Sequence, residues 1–212
     1  MSRADFSITV PNGDCLEYLD DIHQYLVNGI CIPSITQVLS HRFGNKYAGI
    51  ARETLEKAAE YGTGVHAAIE GYARDGWLAE ETRGFEAELR NFEWLQKQFE
   101  FKIVKTELPV ILYDYEEPIA AGRLDLLLET RGVKSIADIK TTSTLDKEYL
   151  GCQLNLYRRA FMQTYGDLIL SLDAIHLRRK DVRRYVPIPI NDDLTDELIN
   201  EFLTIKKKEI ER

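Results

Sequence analysis

Gly122-Arg123-Leu124-Asp125-Leu126-Leu127-Leu128 and Ile136-Ala137-Asp138-Ile139-Lys140-Thr141-Thr142 are two apolar runs interrupted by charge. Both have the length and composition of β-strands, and Arg131-Gly132 between them supplies a turn. Asp125 lies inside an apolar strand, where an ionised carboxylate is costly unless it is paired or holds a cation. On the second strand Asp138 and Lys140 are two residues apart, so the pleat sets both on one face while Ile139 points the other way. If the strands pair across the turn, Asp125 and Asp138 converge, giving two carboxylates for a hard cation with an ammonium beside them. That is the minimum apparatus for metal-assisted phosphodiester hydrolysis: the metal polarises the phosphoryl oxygen and acidifies a water, and the lysine positions that water and stabilises developing negative charge. The plainer alternative is a buried ion pair between Asp125 and Lys140 with Asp138 as an edge charge. For the D-x-K tripeptide alone, which is common, that alternative is the better one.

Working outward, the strand pattern begins near Lys102 and gives Ile103 to Tyr113, Ile119 to Glu129 and Val133 to Lys140, an antiparallel meander. Asp146 to Tyr165 is helical, with Tyr149, Leu150, Gln153, Leu154, Tyr157 and Phe161 on one broad face. Strands over Leu168 to Leu177 and Arg184 to Ile190 follow, then a helix from about Asp192. Upstream, Lys46 to about Gln98 is helical, with a break expected at Gly62-Thr63-Gly64, where Thr63 offers an N-cap, and another near Asp75-Gly76. Before that, His23 to Val27 and Ile30 to Ile32 flank Asn28-Gly29, a type I′ hairpin signal, and Ser34 with Gln37 has the spacing of a capping box. The whole is an α/β fold, a mixed central sheet with a helical N-terminal addition, read as one domain over 1–212: hairpin and helix over 1–45, a helical wall over 46–100 and the core over 101–212.

The 212 residues, 44% hydrophobic and 29% charged, describe a folded globular chain rather than a disordered one. No apolar run approaches the roughly 18 residues of a membrane span, and the first residues open no signal peptide, so a cytoplasmic protein without membrane contact is expected. Cys15, Cys31 and Cys152 are odd in number and never in CxxC spacing, which points away from a disulfide framework and from zinc or iron–sulfur sites. A net charge of −8 excludes a protein that coats nucleic acid by bulk electrostatics, though not an enzyme that grips it locally.

Further residues add to the two acidic strands. His66 and Glu70 are one helical turn apart, and Gln153 and Tyr157 share a helix face that can turn back towards Lys140. Gly62-x-Gly64-x-His66, Glu107, Gly122-Arg123-Leu124-Asp125, Asp138-Ile139-Lys140-Thr141-Thr142 and Gln153-x-x-x-Tyr157, in this order and spacing, resemble the PD-(D/E)XK nuclease superfamily, in particular its RecB-like exonuclease branch. Ile32-Pro33-Ser34-Ile35-Thr36-Gln37-Val38-Leu39 is similar to a P-S-V-T-x-V-L segment in the group that includes the mitochondrial genome maintenance exonuclease and related phage nucleases.

The resemblance implies a restriction-endonuclease-like αβββαβ core and a divalent-metal hydrolase of DNA. It implies metal ligation by Asp125, Asp138, His66 and the Ile139 carbonyl, a catalytic Lys140, a supporting acidic Glu107, and Gln153 and Tyr157 closing the site around lysine and DNA. Carboxylate, carbonyl and water ligands suit Mg²⁺ or Mn²⁺, and the imidazole shifts preference towards Mn²⁺. The four cysteines that carry an iron–sulfur cluster in neighbouring branches are missing, and no GxxxxGK[ST] sequence appears, so neither cluster nor nucleotide is expected and any helicase or single-strand annealing protein would be a separate partner. DNA phosphates would be met by the basic run Arg178, Arg179, Arg183 and Arg184, with Arg123 and Arg158 as further candidates. Trp77, Trp94, Phe43 and Tyr47 offer rings for base stacking, although core packing is the commoner use of each. The expected activity is an exonuclease on single-stranded DNA ends in recombination, repair or phage DNA processing. The alternatives are a structure-specific endonuclease with the same site, or a non-catalytic DNA-binding accessory.

Overall fold

The computed structural model describes residues 6–44, 49–178 and 182–211. Its frame is a five-stranded sheet in the order β5-β6-β7-β8-β9, formed by Lys102–Asp114, Glu117–Thr130, Val133–Lys140, Ser171–Arg178 and Val182–Ile188. The first three strands are the expected antiparallel meander; β7 and β8 are parallel, joined by helix α4 (Lys147–Tyr165), and β9 returns antiparallel. Helix α3 (Glu86–Phe99), three strands, α4 and β8 thus give the αβββαβ order, and helix α5 (Asp192–Ile210) follows β9. This mixed sheet with helices on both faces is the restriction-endonuclease-like fold.

One face of the sheet packs on α4, α5 and helix α1 (Ile35–Phe43) through Leu124, Ile136, Leu154, Phe161, Ala174 and Phe202. The other packs on α3 and the long helix α2 (Arg52–Asp75) through Val65, Ile69, Phe92, Leu126, Ala137 and Ile175. Strand β6 is unusual in this respect. Leu124 belongs to the α4 side while Leu126 and Leu128 belong to the α2/α3 side, although a regular strand would set all three on one face. The change of face falls at Asp125. Directly across, Glu107 of β5 carries φ +47°, a left-handed conformation rare outside glycine and costly by about 1–3 kcal/mol. The sheet is therefore kinked where the acidic side chains gather.

The N-terminal residues form a second sheet of four antiparallel strands, β1-β2-β3-β4 (Phe6–Thr9, Cys15–Leu19, Gln24–Val27, Ile30–Ile32). The Asn28-Gly29 turn is where the dipeptide predicts, with φ +52° and +80°. Strands β1 and β2, four and five residues long, are too short for their pattern to stand out in the sequence. Ser34 caps α1 with both arms of the box: Gln37 N–H donates to Ser34 Oγ, and Ser34 N–H donates to Gln37 Oε1.

The break expected at Gly62-Thr63-Gly64 does not exist; α2 runs through it without interruption and starts from Ala51, so Thr63 caps nothing. The glycines serve packing instead. A β-carbon on Gly64 would lie 2.2 Å from the Phe85 ring, and one on Gly62 would lie 3.3 Å from Thr141 Oγ1. The second break does fall at Gly76, which ends α2 with φ +67°.

Candidate active site

The β6–β7 register Leu126↔Ala137, continued by one residue, sets Asp125 across from Asp138. Asp125 Oδ2 accepts the Ile139 N–H at 2.7 Å, so this carboxylate also closes the top of the β-ladder. From α2, His66 Nε2 donates to the Ile139 carbonyl at 3.1 Å, which leaves Nδ1 facing Asp125 Oδ1 at 3.7 Å. Glu107 joins them: one ligand atom each of His66, Glu107 and Asp125 lie within 4.8 Å of one another, close enough to share one ion. These three line a cavity of about 500 Å³ whose wall is the Ala59, Gly62, Thr63, Ala67 and Glu70 side of α2, with Arg123 on the opposite rim. A larger groove of about 670 Å³ between α1 and α5 holds His41, Arg42, Glu197 and Glu201 but none of these residues.

Asp138 is buried beside the cluster, and its Oδ2 lies 2.6 Å from Lys140 Nζ. Lys140 is the partner of this buried oxygen, which has no other donor among the described residues. Lys140 Nζ also points at Gln153 Oε1, 3.4 Å away on α4. Tyr157, one turn on, is buried with its ring over Gly122, where a β-carbon would come within 2.9 Å of it. Gly122 and Tyr157, two of the motif residues, are thus partners in one contact.

Electrostatics follow from the crowding of anions. Burial, reinforced by the charge of Asp125, pushes the Glu107 carboxyl up to about 7 against the pull of Arg123 and His66. Burial pushes Asp138 up to about 6, with Lys140 opposing and Asp125 adding. Burial works to discharge Lys140, but Asp138 and Asp125 outweigh it and raise the ammonium's pKa. Surplus negative charge, a buried carboxylate oxygen with only the Lys140 ammonium beside it, and an imidazole already oriented by a backbone carbonyl are what a divalent cation would complete. The residues present fit such an ion.

The Ile139 carbonyl, expected as a backbone ligand, is the acceptor that orients His66. Arg123, expected on DNA, has Nε 3.4 Å from Glu107 Oε2 and its guanidinium over the Phe6 and Tyr18 rings at 5.8 and 5.3 Å. Arg158 is occupied by the Ile169 carbonyl (3.0 Å) and Asp192 (2.7 Å), a tether between α4, the loop before β8 and α5 rather than a free phosphate ligand. Arg178, Arg183 and Arg184 are exposed at the β8–β9 hairpin; Arg179 lies outside the described residues. Since Lys140 pairs with His176, and His176 with Arg184, that hairpin stands at the same end of the sheet as Lys140. His176 escaped sequence reasoning: it is buried in the strand beside Lys140, and its Nε2 donates to the Thr142 carbonyl at 2.6 Å, holding the turn that leaves β7. A single histidine in an apolar strand carries no signal that would have found it.

A family model described as the PD-(D/E)XK nuclease superfamily matches residues 39–209. The chain belongs to this superfamily. It is therefore a nuclease, of a class that hydrolyses DNA with divalent metal ions, and His66, Glu107 and Asp125 form a cluster that could hold such an ion. Solved structures similar to this PD-(D/E)XK nuclease include that of SSO0001, 14% identical over 82% of this chain and 75% of that one with a TM-score of 0.44. Another is a candidate exonuclease from Eubacterium rectale, 10% identical over 84% and 79% with a TM-score of 0.47. No curated protein matches. Among the described residues no helix is long and apolar enough to cross a membrane.

Proposed function

We propose that this nuclease is a Mg²⁺- or Mn²⁺-dependent deoxyribonuclease that works as an exonuclease on single-stranded DNA ends, in cytoplasmic recombination, repair or phage DNA processing. The observation that carries the metal-dependent reading is the convergence of His66, Glu107 and Asp125 on one cavity, with buried Asp138 and Lys140 at its edge. His66 through Nδ1, Glu107 and Asp125 would hold the ion, with Asp138 Oδ2 the adjoining donor. When bound, the ion supplies Lewis-acid polarisation of the scissile phosphate and acidifies a water.

The chain's own groups do the rest. Asp125 and the Ile139 carbonyl fix the imidazole and the end of β7, so the ligands are oriented before substrate arrives. Lys140, kept charged by Asp138 and Asp125 and steadied by Gln153, presents an ammonium to the nucleophile and to charge developing on the phosphate. Helix α2 lines one side of the cavity, and in the exonuclease reading a strand enters along this wall by its end. A helicase or annealing protein would act as a separate partner.

The test is a time course on end-labelled linear single strands, circular single strands and duplex, with Mg²⁺, Mn²⁺ or chelator. Shortening of the open linear strand alone is expected, abolished by chelator and reduced at least about 100-fold by Lys140→Ala or Asp138→Ala in folded protein. Cutting of the circle would make the enzyme an endonuclease, and unchanged cutting by both variants would remove these residues from catalysis.

A further inference from the structure

The four aromatic residues open to a stacking role divide once their surroundings are known. Phe43 packs edge-on against Tyr149 with ring centroids 5.1 Å apart, and Tyr47 lies outside the described residues. Trp77 donates its indole N–H to Glu93 at 3.2 Å and meets Tyr72 edge-on. Trp94 differs: it is 42% exposed, and its ring face is met by the Arg183 guanidinium at 4.1 Å. Arg183 itself is exposed and has no carboxylate partner among the described residues.

The position of this pair is set by three contacts. Along β9, moving from Tyr185 to Arg183 leads towards the hairpin; along α3, the partners of these residues run from Phe99 back to Trp94. At the start of α3, Phe85 seats against Gly64, two residues before His66. The start of α3 therefore lies at the end of the sheet that holds the metal cluster and Lys140, and Trp94 stands about two turns further along the helix, against Arg183. Laterally, Lys140, His176 and Arg184 are neighbours in register, so Arg184 is two strand spacings, about 10 Å, from Lys140. Arg183 is the next residue along. Alternation on β9 sends Tyr185 and Arg183 to the α3 side, so Arg184 takes the side that carries Lys140.

We infer that Trp94, with Arg183 against it, is a base-stacking platform for the unpaired strand that flanks the scissile phosphate, while Arg184 takes the backbone on the face of Lys140. This inference rests on the reading of the chain as a nuclease of single-stranded DNA, whose bases are free to stack, and adds the residues that would receive those bases. A half-exposed indole with a guanidinium over one face matches a base in stacking and in cation–π character, and the neighbouring arginines match the phosphates in charge. A duplex keeps its bases inside its own stack and gains nothing from Trp94.

Trp94 and Trp77 are the only two tryptophans. Trp77→Phe in a Lys140→Ala background leaves Trp94 as the sole indole in a protein that does not consume its ligand. Titration with an oligothymidine in Mg²⁺ should quench this emission along the same curve that the anisotropy of a labelled oligonucleotide follows. Trp94→Ala should weaken single-strand binding about 10- to 100-fold and leave duplex binding within about twofold, with Trp94→Phe recovering most of the loss. Unchanged emission at saturating oligonucleotide, or equal losses on single strand and duplex, would overturn the platform and leave Arg183 as an intramolecular partner of Trp94. Wild-type cleavage assayed in parallel separates the two readings: absence of both cleavage and binding would fail the nuclease reading itself, whereas cleavage with an indifferent Trp94 fails only the platform.

Discussion

Glu107 concentrates the chemistry of the site in one residue. Its backbone is left-handed, its carboxyl is pushed up to about 7 mainly by burial and by Asp125, and only Arg123 and His66 pull the other way. A carboxyl whose folded pKa exceeds its unfolded one is more protonated in the folded state, so its contribution to stability falls as pH rises from the unfolded value through the folded one. Asp138, pushed up to about 6 by burial, acts in the same direction. The chelated protein should accordingly lose thermal stability from about pH 5 to about pH 8. Mn²⁺ must displace those protons, so it should bind more tightly over the same range and reverse the loss. Glu107→Gln should flatten the chelated slope, measured as Tm against pH; a slope equal to wild type would mean that Glu107 is not the group responsible. The importance of Glu107 could not be read from sequence as Asp125, Asp138 and Lys140 could. A carboxylate in an apolar strand and a D-x-K pair announce themselves by spacing, whereas a glutamate becomes a cluster member only through a kink that no glycine or asparagine signals.

At the scale of elements, α4 and the meander were legible because their apolar periodicities are long and their ends are marked by Asp146, Arg131-Gly132 and Gly166. Helix α2 was misread at Gly62-Thr63-Gly64, since two glycines weaken a helix locally and only tertiary contact reveals why they are tolerated. Gly64 admits the Phe85 ring, which joins α2 to the start of α3 and so holds His66 above Ile139. Gly64→Ala would gain about 0.8–1 kcal/mol of helix propensity but set a methyl 2.2 Å from the ring, and overpacking of this kind costs about 1–3 kcal/mol. A net loss of about 1 kcal/mol is expected, with Tm lowered by about 2–4 °C. Gly62→Ala meets Thr141 Oγ1 only at 3.3 Å, so propensity and crowding should nearly cancel there. Calorimetry of both variants checks the contrast, and a Gly64→Ala protein more stable than wild type would show that Phe85 can move aside freely.

Across the whole molecule, the unexpected partner of the site is the N-terminal sheet. Val10, Leu16, Tyr25, Val27 and Ile32 pack on Ile111 and Tyr113 of β5 and Ala121 of β6, and the β1–β2 hairpin meets β6 at Arg123. There the Phe6 and Tyr18 rings carry the Arg123 guanidinium, and Arg123 Nε faces Glu107 Oε2. A chain of contacts thus runs from the first strands to a member of the acidic cluster, and an arginine that sequence reasoning gave to DNA is occupied in holding a carboxylate. Tyr18 meets the Arg123 guanidinium with its ring, and Arg123 is the link from it to Glu107. A cation–π contact at a partly exposed site contributes about 0.5–1 kcal/mol, and its loss would loosen Arg123 and let Glu107 leave the cluster more readily. Tyr18→Ala should therefore weaken Mn²⁺ binding by about 2- to 5-fold, with the cleavage rate restored at saturating Mn²⁺ and with Tyr18→Phe close to wild type. Isothermal titration of Mn²⁺, run beside cleavage at low and high metal, separates this from general damage to the fold, because damage would depress the rate at every metal concentration. If Tyr18→Ala binds Mn²⁺ as wild type does, the first sheet is packing alone, and Arg123 keeps Glu107 in place without its help.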